Sequence, residues 1–278
     1  MRKIRYFGIV GIYAVLLFSS CSPERNLARK YIELSKGNGV MIVPNNELFK
    51  DNKTISFDST IQLSAAQFDS ISWEQACFVQ HVSDSEFLTR FTNSMIDELT
   101  ATGFDVYVDG SSDVFLSLPD PKWIVQIAQL ELSESRRSEL YYVFSLENLE
   151  HPSYESLRVN KIDLSSWLEV SRANAGNKQV LFLDGYIEDD LKNALEFKKI
   201  EEGTALAKTK DSLAIEDVYV MADDLGRKHA DFLFDYFMNE YIGENLPEGI
   251  INRKYFHFDR LNNSLKKQGD ERFEVIDQ

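Results

Sequence analysis

The clearest periodicity in the chain lies in SDSEFLTRFTNSMIDELTATGF, residues 83–104. Phe87, Phe91, Met95 and Leu99 recur at every fourth position with Leu88 beside them, which puts one apolar stripe on a helix face. Ser83 and Glu86 form the Ser-x-x-Glu pattern of a capping box in front of that run, and Gly103 follows as a C-cap. A longer helical spacing starts near Ser212: Ile215, Tyr219, Ala222, Leu225, His229, Phe232, Leu233, Tyr236 and Phe237, on to about Tyr241, where GENLPEG stops it. Leu27, Ala28, Tyr31, Ile32 and Leu34 predict a short helix ended by Gly37.

Other stretches read as strands. VMIVP at 40–44 is a compact apolar run, and FDVYVD alternates Phe104, Val106 and Val108 toward one face. KWIVQIAQLELSE, ELYYVFSLENLE, NKIDLSSWLEVSR and NKQVLFLDGYIE follow, separated by SESRRS, HPSYES and ANAGN. Four strands with short connections predict an antiparallel meander. Within the first, apolar parity changes between Ile127 and Leu130, which predicts a bulge or a strand covered on both faces. Residues 45–70 are polar and mixed and read as a long connection with a small strand at Thr54 to Phe57; DGSSD reads as a turn. Runs of strands with segregated helices predict an α+β fold: a mostly antiparallel or mixed sheet of about five to six strands with two main helices packed on it.

The N-terminus carries a different pattern. Three basic residues in Met1-Arg2-Lys3-Ile4-Arg5 precede an apolar run from Tyr6 to Phe18, too short for a comfortable membrane span and right for a signal-peptide core. Ser19 and Ser20 then stand directly before Cys21. This arrangement resembles the lipobox of bacterial lipoproteins, although Phe18 stands where that family usually has Leu. The resemblance implies cleavage before Cys21, lipid (palmitate among the acyl chains) on Cys21, and anchoring to a bacterial membrane, the outer membrane favoured. The implied organisation is a signal peptide over 1–20, a tether and short helix over 21–38, one α+β domain over 39–245, and a C-terminal arm over 246–278.

Removing residues 1–20 takes three of the 30 basic residues and none of the 45 acidic ones, moving the net charge from −15 to −18. So acidic a body argues against nucleic acid as a partner, because phosphates need Lys and Arg, and equally against a body lying on anionic lipid headgroups. Hydrophobic content of 44% is ample for a core. With Cys21 lipidated, Cys77 stands single, and its apolar neighbours in WEQACFVQHV predict a small buried hydrophobe.

The search for chemistry finds no catalytic residues, no metal set and no cofactor motif. Gly-x-Ser-x-Gly, His-Glu-x-x-His and the phosphate loop ending in Gly-Lys-Ser/Thr are absent. A Ser-x-x-Lys at Ser264 and Lys267 lies in a polar tail that cannot desolvate the Lys. His81, His151, His229 and His257 come singly, with His229 expected to pack on the last helix and His151 in a Pro-containing turn. The acidic groups Glu188 to Asp190 and Asp223-Asp224 have the residue types for a cation site or an acid–base pair, but a chain with 45 acids produces such groups by chance, and Glu188 to Asp190 read as a solvated helix start. Trp123 and Trp167 fall inside strand patterns and are expected in the core. Tyr255, Phe256, His257 and Phe258 form an aromatic knot that pins an otherwise loose tail; with Trp73 they are the candidate surface for a partner or a sugar ring.

The element order also resembles the α/β envelope lipoproteins that accompany ABC-type lipid transporters, and the related curli-secretion and TolB N-terminal-like domains. The stretches that carry this are VMIVP, FTNSMIDELTATGFDVYV, WIVQIAQLEL and the helix from Ile215 to Tyr241. The resemblance implies a non-catalytic partner in an envelope assembly, with no catalytic residues to transfer. The function expected from the sequence is therefore an adaptor or assembly partner of a membrane or cell-wall complex. The alternative is a surface or periplasmic binder of glycan or lipid.

Overall fold

The computed structural model describes residues 22–54, 64–108, 110–145, 148–200, 203–247, 255–268 and 273–276. Cys21 and the expected signal peptide lie outside these, as does the strand expected at Thr54 to Phe57 apart from Thr54, which sits in a turn. The fold is α+β, as the sequence predicts. In chain order it has helix α1 (Pro23–Leu34), strands β1 (Gly39–Val43) and β2 (Phe49–Asn52), helices α2 (Ala65–Glu74) and α3 (Asp84–Thr102), strand β3 (Asp105–Tyr107) and helix α4 (Ser112–Ser117). Strands β4 (Trp123–Ser145), β5 (Asn148–Arg172), β6 (Lys178–Glu188), β7 (Asp190–Ile200) and β8 (Gly203–Asp211) follow. Helix α5 (Ile215–Asn245) and strands β9 (Tyr255–Asp259), β10 (Ser264–Gln268) and β11 (Glu274–Ile276) complete it. Among the described residues no helix is long and apolar enough to cross a membrane.

Strand β4 is the spine of a mixed sheet ordered β11-β6-β5-β4-β1-β3. One edge of β4 pairs antiparallel with β5; the other is shared along its length by β1 and β2, both parallel, and then β8, antiparallel. The expected meander is present as β4-β5-β6, but with fewer and longer strands. The spacers SESRRS and HPSYES lie inside β4 and β5, so His151 is in a strand and not a turn. The expected parity change is a register shift: Ile127 faces Leu168 while Gln129 faces Trp167, leaving Ala128 as the extra residue. The bulge lets both Ile127 and Leu130 reach the core, at 2% and 0% exposure.

Helix α3 has the predicted ends. The Ser83 hydroxyl accepts from the Glu86 N–H, and Gly103 closes the helix at φ 106°, a left-handed turn that favours glycine. The capping box is half made, because the Ser83 N–H donates to the Tyr219 hydroxyl of α5 (2.8 Å) while Glu86 pairs with Arg90. In β5, Ile162, Leu164, Ser166, Leu168 and Val170 turn to the helix side and are buried. Trp167 turns the other way, beside Phe182 with ring centroids 5.1 Å apart. It is half-buried on the open face of the sheet, where the expectation placed it in the core.

From Phe232 to Met238 helix α5 is buried at every position, which requires cover on every side, whereas its first half keeps a charged exposed face at Glu216, Asp217, Asp224, Arg227 and Lys228. Phe237 stacks on Trp123 of β4 at 4.4 Å, Phe91 of α3 meets His229 edge-on, and Tyr31 of α1 meets Phe234. Phe258 of β9 lies against Phe234, and Phe273, just before β11, against Phe232. Expectation gave the tail a loose end, but β11 pairs antiparallel with β6 and extends the sheet. Residues 45–70 also hold more structure than expected: β2 joins β4, and Asn52 and buried Ser72 exchange side-chain-to-carbonyl hydrogen bonds of 2.6 and 2.8 Å that hold α2 to β2. The DGSSD turn runs on into α4.

The crossing of α3 and α5 depends on Gly226. A Cβ there would lie 2.3 Å from the Phe91 carbonyl oxygen and 3.0 Å from Ser94 Cβ, and backbone cannot step aside. A Cβ on Gly185 would meet the ends of the Leu225 side chain, which can rotate. Gly226→Ala should therefore cost about 3 kcal/mol or more, and Gly185→Ala about 1 kcal/mol. Urea titration checks the order; equal losses would contradict the close helix approach.

Candidate functional site

The candidate site is the seam between α5 and the β9-β10 hairpin, and it is built from the helix outward. Asp235 and Asn239 stand one turn apart on the same face of α5. Asp235 is fully buried; Oδ1 accepts from the Phe258 N–H at 2.9 Å and Oδ2 from His257 Nδ1 at 2.6 Å. The Asn239 amide accepts from the Phe256 N–H (2.9 Å) and donates to the Phe256 carbonyl (2.8 Å). Two helix side chains thus satisfy β9 as a neighbouring strand would. The hairpin closes through Asp259, which accepts from the Asn262 N–H (3.0 Å), the Asn262 amide (2.8 Å) and Lys266 (2.6 Å). Those donors hold the Asp259 carboxyl well below the usual range, Lys266 first. Asn263 takes the left-handed position of the turn at φ 45°.

Beside this seam lies an open cleft of about 450 Å³ whose walls include Glu98, Asp231, His257 and Arg260. Arg260 pairs with Glu98 across it. Asp231 is pushed up to about 6, mainly by burial and then by the charges of Glu98 and Asp235. His257 and Asp235 have the geometry by which a carboxylate orients an imidazole, yet among the described residues no hydroxyl or thiol is hydrogen-bonded to that imidazole. The pair lacks the nucleophile of a triad.

Of the expected surface residues, Phe256 is fully buried, because Asn239 holds both its backbone groups inward; it is core and not surface. Tyr255, His257 and Phe258 are half-buried. Trp73 is 44% exposed but belongs to α2, with Lys50 6.0 Å over its ring. The fold does not bring it to the knot.

The buried polar groups that sequence reasoning missed are seams between elements. Glu134, 2% exposed, accepts from the backbone N–H groups of Cys77 (2.8 Å), Phe78 (2.7 Å) and Val79 (3.0 Å). Cys77 itself is exposed, with its sulfur 3.1 Å from Arg136, because that backbone is turned in toward Glu134 and the thiol is turned out. Asp189 is buried between β6 and β7 and not at a helix start. It accepts from Asn160 N–H (2.8 Å), Leu213 N–H (2.8 Å) and Lys210, and these donors outweigh burial to lower its pKa. Asp223 and Asp224 are held by Ser94 and Arg227.

His229 is buried as expected. Nδ1 donates to the Leu225 carbonyl (2.6 Å) and Nε2 meets the Ser166 hydroxyl (2.5 Å), which also lies 2.8 Å from the Leu183 carbonyl. Burial lowers its pKa to about 4. Ser264 and Lys267 are three apart on β10 and so point to opposite faces. Among the described residues no cluster of three His, Cys, Asp or Glu could hold a metal ion. The signal that could have found one seam is an isolated acid inside an apolar stretch, Asp235 in DFLFDYFM; Glu134, in ELSESRR, gives no such signal.

Two outcomes follow. Glu134→Ala strands three backbone donors and should cost about 3 kcal/mol or more by denaturant titration; a loss under about 1 kcal/mol would contradict the geometry. The titrations of Asp231 and His229 have opposite signs. Asp231 is raised, so its contribution is present below about 3.8 and is lost as pH rises through about 6. His229 is lowered, so its contribution is present above about 6.5 and is lost as pH falls through about 4. The stability difference between Asp231→Asn and wild type should grow from pH 4 to 6. The corresponding difference for His229→Asn should shift in favour of the variant from pH 6.5 down to 4. Chemical denaturation across that range checks both.

No family model matches the chain, and no curated protein matches it. Nine chains among solved structures match. One is similar over 76% of this chain and 95% of its own length, at 10% identity and a TM-score of 0.36; it is described as a neuraminyllactose-binding hemagglutinin homolog from Helicobacter pylori. A likeness of that degree carries no argument about ligand or activity.

Proposed function

We propose that this chain is a lipid-anchored, non-catalytic envelope protein that acts as an adaptor, holding a partner protein on the distal part of its sheet. The observation that carries the reading is the length of β4 and β5. They run 23 and 25 residues. The helix-covered sheet engages β4 only to Glu134, through β2, and β5 only back to Lys161, through β6. Beyond that the two strands continue for about 35–40 Å with, among the described residues, each other and the β7-β8 hairpin as sheet neighbours.

Leu140 and Phe197 on this ribbon are 73% and 71% exposed. A ribbon with available strand edges and large exposed apolar side chains suits partner binding by added strand or by apolar contact. The non-catalytic part is supported by the buried carboxylates, whose oxygens are taken up by protein donors. The anchor is supported by the order of basic residues, apolar run, small residues and Cys21.

A photo-crosslinker at position 140 or 197, used in intact membranes, should capture a recurrent component of an envelope complex. The double variant Leu140→Asp, Phe197→Asp should abolish it with the melting temperature unchanged. Undiminished capture in that variant, or capture only from Tyr255 and Phe258, would overturn the ribbon as the contact surface.

A further inference from the structure

The second cleft formed by the C-terminal hairpin, of about 390 Å³, opens between α1 and β9-β10. Its apolar walls are Ile32, Phe258 and Leu265; its polar ones include Arg25, Arg29 and Ser264. In a chain of net charge −15, cations are expected to be matched. Arg90, Arg137, Arg172, Arg227 and Arg260 do each meet a carboxylate. Among the described residues Arg25 and Arg29 meet none, as is also true of Arg136 and Arg158; Arg25 is half-buried with its Nε lacking a hydrogen-bond partner, and Arg29 is exposed. The one carboxylate on the rim, Glu33, is held by Lys36 at 3.2 Å.

Arg25 and Arg29 are one turn apart and so share a face of α1. Two guanidinium forks lining one cleft suit a tetrahedral oxyanion, which accepts several charge-assisted bonds at once from their terminal N–H groups. The Ser264 hydroxyl on the opposite wall adds a donor.

We infer that this cleft is a phosphate-binding site, and that its source of phosphate is a phospholipid headgroup of the membrane in which the protein is anchored. The choice of source rests on the anchor reading above. Arg25 and Arg29 lie about 5 and 10 Å along the helix axis from Ser22, the residue after Cys21. The headgroup region of one leaflet is about 5–8 Å deep. A protein tethered at Cys21 therefore holds these guanidiniums at or just above the phosphate layer. The apolar walls suit the glycerol end of such a lipid. A compact docked headgroup, unlike a spread of basic residues, also lets an acidic body sit near a membrane whose charge would repel it.

The test is amide exchange of the full chain as isolated from membranes, after intact mass has read the acyl state of Cys21. The protein is reconstituted into phosphatidylethanolamine/phosphatidylglycerol vesicles, into phosphate-free glycolipid vesicles, and into the latter with added inorganic phosphate. Expected is about tenfold slower exchange over residues 25–33 and 263–265 in the phospholipid vesicles only, equivalent to one charge-assisted hydrogen bond. Arg25→Gln with Arg29→Gln should lose it, and Lys30→Gln should keep it. Protection by inorganic phosphate alone retains the site and overturns the lipid source. Absence of protection with either phosphate source, or the same loss in Lys30→Gln, overturns the site. If Cys21 carries no lipid, the anchor reading fails by mass, and the inorganic phosphate arm still decides the site.

Discussion

The burial of the C-terminal half of helix α5, from Phe232 to Met238, on all sides is the constraint on which the rest depends. In this 31-residue helix that half has apolar side chains around most of its circumference and cannot rest on a sheet by one stripe. The sheet supplies Trp123, α3 supplies Phe91, α1 supplies Tyr31, and the C-terminal segment supplies Phe258 and Phe273. What the sequence presents as a tether helix at one end and an arm at the other are the last walls of one core. The seam at α5 and the cleft at α1 exist because those walls must meet.

Where walls meet, polar backbone is left over, and the protein meets it with single side chains. Asp235 and Asn239 complete β9, Glu134 completes the turn at residues 77–79, and Asp189 joins β5 to the start of α5. Asp235, Glu134 and Asp189 are each surrounded by donors, which is the condition for a buried charge to be tolerated. Asp231 is the exception: burial raises it first and the neighbouring Glu98 and Asp235 charges add to that, and it faces a cleft.

How much was legible follows the range of the interaction. Helices α3 and α5 were readable because Phe87 to Leu99 and Ile215 to Tyr241 repeat within one turn, and Gly103 ends α3 for a local steric reason. The bulge at Ala128 was readable because it shifts parity between neighbours. The spacers SESRRS and HPSYES were misread as breaks, since a ribbon with no helix layer need not alternate apolar and polar residues. The aromatic knot was found, but its orientation was not: Phe256 turns in because Asn239, 17 residues earlier, holds its backbone. Glu134 meets amides 55 to 57 residues away, and no local pattern encodes that.

Native-state hydrogen exchange on the intact protein tests most directly whether the terminal segments are core walls. If they are, the amides of Phe256 and Phe258 should open only with the centre of α5 around Leu233 to Phe237, at the same free energy and the same denaturant dependence. Fast exchange of the hairpin amides, independent of the slow exchange in α5, would show a loose arm and contradict the account.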